Sequence, residues 1–251
     1  MKKILYLAIA LFSGSQLYAQ TQRMCLSEEF TQASCGPCAA QNPAYNAVLT
    51  NNLTKVISLK YQTSWPGVDP MNSQNTADPA ARVSYYGVSG VPDVYFDGNV
   101  YTGAPSGVTN TVINNRRAVT SPFTINVTHR LTPALDSIYI TVNITCSQAV
   151  NGTLVAHTAI AERDITFLAP PGSNGETEFY YNICRKMLPS ASGTTLATSW
   201  TVGQTQTLNF AVKKPAYIYN PAEIAVVSFI QDNATLEVLS LIHISEPTRR
   251  Y

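Results

Sequence analysis

Cys35 and Cys38 are separated by Gly36 and Pro37 in the run Cys35-Gly36-Pro37-Cys38. Two sulfurs at this spacing lie about one helical turn apart, close enough to bond to each other and to part again. The chemistry they could do is thiol–disulfide exchange, with Cys35 attacking and Cys38 resolving the mixed disulfide. Cys35 stands just before Ala39–Leu49, a stretch of good helix formers with Pro43 inside it. The free N–H groups and partial positive charge of a helix N-terminus stabilise a thiolate there. Pro37 suits the first turn of that helix, and Cys38, one turn on, is expected to be the more shielded sulfur. The same tetrapeptide is compatible with half of a zinc site or with a static structural disulfide. Zinc lacks ligands, since His129, His157 and His243 are scattered and no second C-x-x-C exists. No metal and no cofactor are therefore expected, and the static disulfide stays open.

The elements that must position this pair alternate. Met24–Thr31 is a short apolar-rich segment leading into the cysteines. Lys55–Gln62 alternates as a strand does, Ser64–Thr76 reads as a loop, and Asp78–Tyr86 as a short helix with Asp78 as N-cap. Pro92–Phe96 predicts a strand closed by the turn pair Asp97-Gly98, and Val108–Val119 a last helix. Strand and helix in alternation imply an α/β domain over residues 20–120.

After Thr120 the pattern changes to strict alternation. Phe123–His129, Ser137–Thr145, Thr153–Ala161, Thr205–Val212 and Ile224–Ile230 each read as strands separated by turn residues. They predict an all-β antiparallel sandwich domain over residues 121–238, with the boundary near Ser121-Pro122.

The segment from Glu29-Phe30 to Cys35-Gly36-Pro37-Cys38 resembles the active-site segment of thioredoxins, where an acid six residues before the first cysteine is followed by an aromatic residue. Pro43 matches the family's helix proline, and Gly87–Gly98 is similar to its cis-proline segment and the strand that follows. The resemblance implies that Glu29 relays a proton to or from Cys38. It also implies that a cis Val91–Pro92 bond lies against the disulfide, with the Val91 backbone, Pro92, Gly36 and Pro37 forming the substrate-binding surface. Ser34 departs from the family's usual Trp, and Lys60 on the next strand is a candidate partner for Glu29.

The chain as a whole resembles the twenty-eight-kilodalton outer-membrane protein family of Bacteroidetes. The resemblance is carried by Glu28–Cys38, Pro170–Glu176 and Arg185–Pro189, and covers roughly residues 24–238. It implies a protein of the cell envelope or surface. The partners implied are exported proteins with thiols or disulfides and a redox donor or acceptor. The alternative is a non-catalytic binding or structural protein that uses the thioredoxin-like domain as a scaffold.

Composition agrees with export. Of 251 residues 45% are apolar and only 12% charged, so the surface relies on uncharged polar side chains, and a net charge of +1 gives no sign of nucleic-acid binding. Lys2-Lys3, the apolar run Ile4–Phe12 and Leu17-Tyr18-Ala19 read as a signal peptide cut after Ala19, which leaves no transmembrane helix in the mature chain. Residues 239–251 resemble a translated sequencing adapter. The expected location is the periplasm, outer membrane or surface of a Gram-negative bacterium. Three cysteines remain: Cys25, read as a buried small hydrophobe, and Cys146 with Cys184, which either pair or lie as separate buried thiols.

Overall fold

A computed structural model describes residues 22–241. Residues 1–19, read from the sequence as a signal peptide, lie outside the described residues, as does residue 242 onward of the adapter-like tail. Leu239–Leu241, expected to belong to that tail, lie within a final strand.

The strands are β1 (Cys25–Thr31), β2 (Val56–Gln62), β3 (Asp93–Phe96), β4 (Tyr101–Gly103), β5 (Phe123–Leu131), β6 (Ser137–Cys146) and β7 (Val150–Asn151). They continue with β8 (Leu154–Thr166), β9 (Glu178–Leu188), β10 (Thr194–Thr195), β11 (Ser199–Trp200), β12 (Thr205–Lys213), β13 (Ile224–Asp232) and β14 (Val238–Leu241). The helices are α1 (Gly36–Thr50), α2 (Pro70–Gln74), α3 (Ala77–Tyr86) and α4 (Asn110–Arg117).

The fold is mostly β, built on one mixed sheet in the order β14-β13-β8-β9-β2-β1-β3-β4, with β10 beside β8. β1 runs parallel to β2, and β2 parallel to β9 through the pair Lys60↔Ile183. The strands expected to form a separate sandwich divide between two sheets. β5, β6 and β12 make a three-stranded antiparallel sheet, whereas β8 and β13 extend the sheet that holds β1 and β2. A boundary at Ser121-Pro122 therefore does not coincide with a break between sheets.

The joint between the halves is β9, a strand the sequence pattern conceals. Its apolar alternation is interrupted by Asn182 and Arg185, both buried, and Asn182 takes a left-handed backbone with φ 58°. Arg185 is tolerated inside because Glu162 of β8 sits 3.0 Å away, and buried charges persist when paired. Two local departures also follow from carboxylates. Asp69 accepts from the Asn72 N–H and starts α2 within the segment read as a loop. Asp78 sits in the first turn of α3 rather than capping it, and its carboxylate accepts from the Met187 N–H of β9.

Apolar side chains fill both faces of the large sheet. The three-stranded sheet packs on one face of β8 and β13, through Ile140, Val142, Ile160, Val226 and Trp200. The opposite face carries Ala159, Ala161, Cys184 and Val227 together with Leu26, Phe30 and Tyr86. α1 and α4 cover a third cluster around Tyr45, Leu49, Val94 and Ile113.

Candidate redox site

Cys35 is the N-cap of α1, with φ −87° and ψ 107°, and its Sγ accepts from the Cys38 N–H at 3.0 Å. The helix begins there because Gly36 and Pro37 occupy its first turn, where a missing N–H costs nothing. Cys35 and Cys38 are bonded, with Cα atoms 5.2 Å apart. A first-turn N–H aimed at Cys35 Sγ is the contact that would hold a thiolate after reduction. Pro43 lies inside α1. Cys38 was expected to be the more shielded of the two; both are buried, Cys35 at 1% exposed and Cys38 at 0%. Cys35 is covered because loops from three parts of the chain meet at its position, while Gly36 and Pro37 stay exposed.

The first of these loops joins α3 to β3. The Val91–Pro92 bond is cis, and the Val91 carbonyl oxygen stands 3.5 Å from Cys35 Sγ. Val91 and Pro92 are both half-buried.

The second loop, 63–69, is tied to the turn before Cys35. Gln32 donates to the Gly67 carbonyl, Ser34 Oγ donates to the Val68 carbonyl at 2.6 Å, and the Ala33 N–H reaches Asp69 at 2.9 Å. Burial pushes the Asp69 carboxyl up, against the pull of the Asn72 and Ala33 N–H groups.

The third loop connects β8 to β9 and carries Pro170–Glu176. Gly172 packs so closely that a β-carbon there would stand 2.2 Å from the Ala33 carbonyl oxygen. The Ser173 N–H donates to Ser34 Oγ at 3.0 Å, and Asn174 Nδ2 reaches the carbonyls of Gln32 (3.3 Å) and Cys35 (3.4 Å). Asn174 and Glu176 are site residues that sequence reasoning missed. The run containing them was visible as a motif, but nothing in it showed contact with residues some 139 positions earlier.

On β1, the strand that leads to the cysteines, Glu29 is fully buried and paired with Lys60 of β2, Nζ to Oε2 2.7 Å. The pairing follows from the parallel register, in which Glu29 and Lys60 are partners. Burial pushes the Glu29 carboxyl up, and Lys60 offsets part of that. Lys60 also donates to Asn46 Oδ1. Asn42 of α1 lies between Glu29 and Glu176. Burial also raises the Glu176 carboxyl, with neighbouring Glu29 adding to the effect.

Glu28 points away from Glu29 on the same strand, yet it is equally buried. It accepts from Arg82, Tyr61 and Tyr86 on the other face of the sheet. β1 is covered on both faces, so the two adjacent acids each required their own cation. The pairing considered for Cys146 and Cys184 is not formed. Both are free thiols, Cys146 in the cluster under the three-stranded sheet and Cys184 on the opposite face of the large sheet. Cys25 is free and buried, and burial pushes its thiol up to about 12. His129 and His157 are buried on β5 and β8, where desolvation lowers both imidazoles.

Fold and site together define a mixed-sheet, mostly β protein with a C-x-x-C disulfide at the mouth of a helix. Among solved structures the chain is similar to HBP35 of Porphyromonas gingivalis, at 15% identity over 92% of this chain and 79% of that one, with a TM-score of 0.67. It is also similar to a protein from Agrobacterium tumefaciens, at 17% identity over 93% of this chain and 98% of that one, with a TM-score of 0.51. A domain of the outer membrane lipoprotein Omp28 from Porphyromonas gingivalis matches at 14% identity over 51% of this chain and 89% of that one, and its TM-score of 0.35 is too low to carry an argument. No family model matches the chain, and no curated protein does. The first two likenesses speak to the fold alone. Among the described residues no helix is long and apolar enough to cross a membrane.

Proposed function

We propose that this chain is a thioredoxin-like thiol–disulfide oxidoreductase of the bacterial envelope or surface, acting on the disulfides of exported proteins. In the reducing direction the Cys35 thiolate attacks one sulfur of a substrate disulfide, and the other leaves as a thiolate. Cys38 then gives its proton to Glu29 and attacks Cys35, releasing the second substrate thiolate. Two electrons pass to the substrate and the protein is left as the Cys35–Cys38 disulfide. An exported dithiol donor returns it to the reduced state. In the oxidising direction the same steps run backwards and a disulfide acceptor restores the bond. Val91, Pro92, Gly36 and Pro37 form the face on which the substrate segment docks.

The observation that carries this reading is the Cys35 sulfur itself. It caps α1 and receives the Cys38 N–H at 3.0 Å, and β1, the strand that leads to it, carries Glu29 in a buried pair with Lys60. The N-terminal signal-peptide pattern supports export.

One observation favours a second reading, a binding or structural protein whose disulfide is static: Cys35 is only 1% exposed. Two measurements separate the two readings. Cys38→Ser is expected to trap mixed disulfides with exported proteins, and the pair is expected to titrate in the range of catalytic dithiols. No trapped partner, with a potential below about −300 mV, overturns the oxidoreductase reading.

A further inference from the structure

Glu176 lies on a loop far from β1 in sequence, yet one side chain separates it from Glu29. The Asn42 amide spans the gap. One end of it is 3.2 Å from Thr31 Oγ1 and 3.4 Å from Glu176 Oε1. The other end is 2.7 Å from Glu29 Oε1 and 3.3 Å from the Cys38 carbonyl oxygen.

An amide has a donor end and an acceptor end, so its orientation depends on which carboxyl holds a proton. With the nitrogen toward Glu29, an ionised Glu29 and the Cys38 carbonyl are both satisfied. The amide oxygen then takes the Thr31 hydroxyl and faces Glu176, which suits a protonated Glu176. With the amide reversed, the nitrogen serves an ionised Glu176, while the oxygen meets Glu29 at 2.7 Å, which requires a proton on Glu29, and the Cys38 carbonyl at 3.3 Å loses its donor. Each orientation thus leaves one proton and one negative charge between the two carboxyls, and the orientation toward Glu29, which alone satisfies the Cys38 carbonyl, is the resting one. Lys60 supplies a single ammonium against that single charge.

We infer that Glu176 is a positioning residue for the Cys38 half-reaction, the outer member of a carboxyl pair with Glu29 that holds one proton between them and is coupled through the Asn42 amide. The inference rests on the oxidoreductase reading for its role and on the geometry for its existence. When Cys38 is deprotonated, its proton enters at Glu29, the amide turns, and Glu176 gives one proton to water. One proton enters the pair and one leaves. Glu29 is fully buried whereas Glu176 is half-buried at the surface of the loop, so Glu176 is the member that meets solvent.

The groups facing the pair are Lys60 from β2, Asn42 and Tyr45 from α1, Thr31 from β1 and Asn174 from the loop itself. Tyr45 donates no charge of its own, since burial holds its hydroxyl protonated. Lys60 is therefore the only cation among these facing groups.

The test is carboxyl-carbon NMR on the oxidised, full-length exported chain with labelled glutamate, titrated with pH. Glu176→Gln removes a like charge but keeps a side chain that Asn174 can bond. The Glu29 transition is expected to move down by about one pH unit in Glu176→Gln, and the Glu176 transition to move down in Glu29→Gln. Identical Glu29 titration in the parent and in Glu176→Gln overturns the inference. A second readout is the pH dependence of the Cys35–Cys38 potential, whose inflection is expected to shift in Glu176→Gln. A pair that cannot be cycled at all fails the oxidoreductase reading, while the carboxyl titration still decides the coupling.

Discussion

Gly172 of the β8–β9 loop and Ala33 of the redox loop are in such close contact that any β-carbon on Gly172 would meet the Ala33 carbonyl oxygen at 2.2 Å. The loops are further joined by Ser173 to Ser34 and by Asn174 to Cys35. The site that bears the cysteines is therefore completed by the second half of the chain.

Gly172→Ala should force the two loops apart, because the atom it meets is backbone and cannot swing away. Overpacking of this kind costs about 1–3 kcal/mol. The displaced loop should uncover Cys35, so the disulfide is expected to react faster with a small phosphine reductant. Unchanged stability in urea and an unchanged reduction rate would show that the contact relaxes without consequence.

Lys60→Met leaves the Glu29 carboxylate buried without its cation, and breaking a buried ion pair from one side costs about 3–5 kcal/mol. The double variant Glu29→Gln/Lys60→Met removes both charges and should return close to the parent in chemical denaturation. The sign of the pH dependence follows from burial. Glu29's carboxyl is raised in the folded protein, so the fold holds that proton more firmly than the unfolded chain does. That contribution is complete below the ordinary carboxylate range and is lost as pH rises through the raised value. Without Lys60 the carboxyl is raised further, so the Lys60→Met penalty should grow with pH. A penalty that shrinks with pH would contradict the assignment.

The three remaining cysteines should behave as inert thiols. Cys25, Cys146 and Cys184 are buried, and burial raises each of them away from the reactive thiolate. The native oxidised protein is expected to bind no thiol reagent, and three equivalents after unfolding without reductant. A single equivalent would mean that Cys146 and Cys184 pair in solution.

Much of the site near the cysteines was legible in the residues themselves. The helix-opening position of Cys35, the place of Pro43 in α1, and Glu29 with Lys60 across β1 and β2 are consequences of short-range spacing and of one parallel register. Glu28 was not legible: strand alternation sends it to the face opposite Glu29, and only a sheet covered on both faces buries it against Arg82. β9 was hidden for a related reason. Buried Asn182 and Arg185 spoil its alternation, and they are accommodated by partners on β2 and β8 that no local window contains.

The sequence by itself determined the local chemistry: which sulfur opens a helix, which proline lies beside it, and which segments alternate as strands. Those properties depend on neighbours within a turn or two, where backbone geometry follows residue type. Only the tertiary structure decided that the β strands divide between two sheets, and that β9 carries the large sheet from one half of the chain to the other. It also decided that the Pro170–Glu176 loop closes over Cys35 and brings Glu176 to Asn42. The energy of such contacts comes from excluding water from groups far apart in the chain. That depends on which surfaces meet and has no period along the sequence.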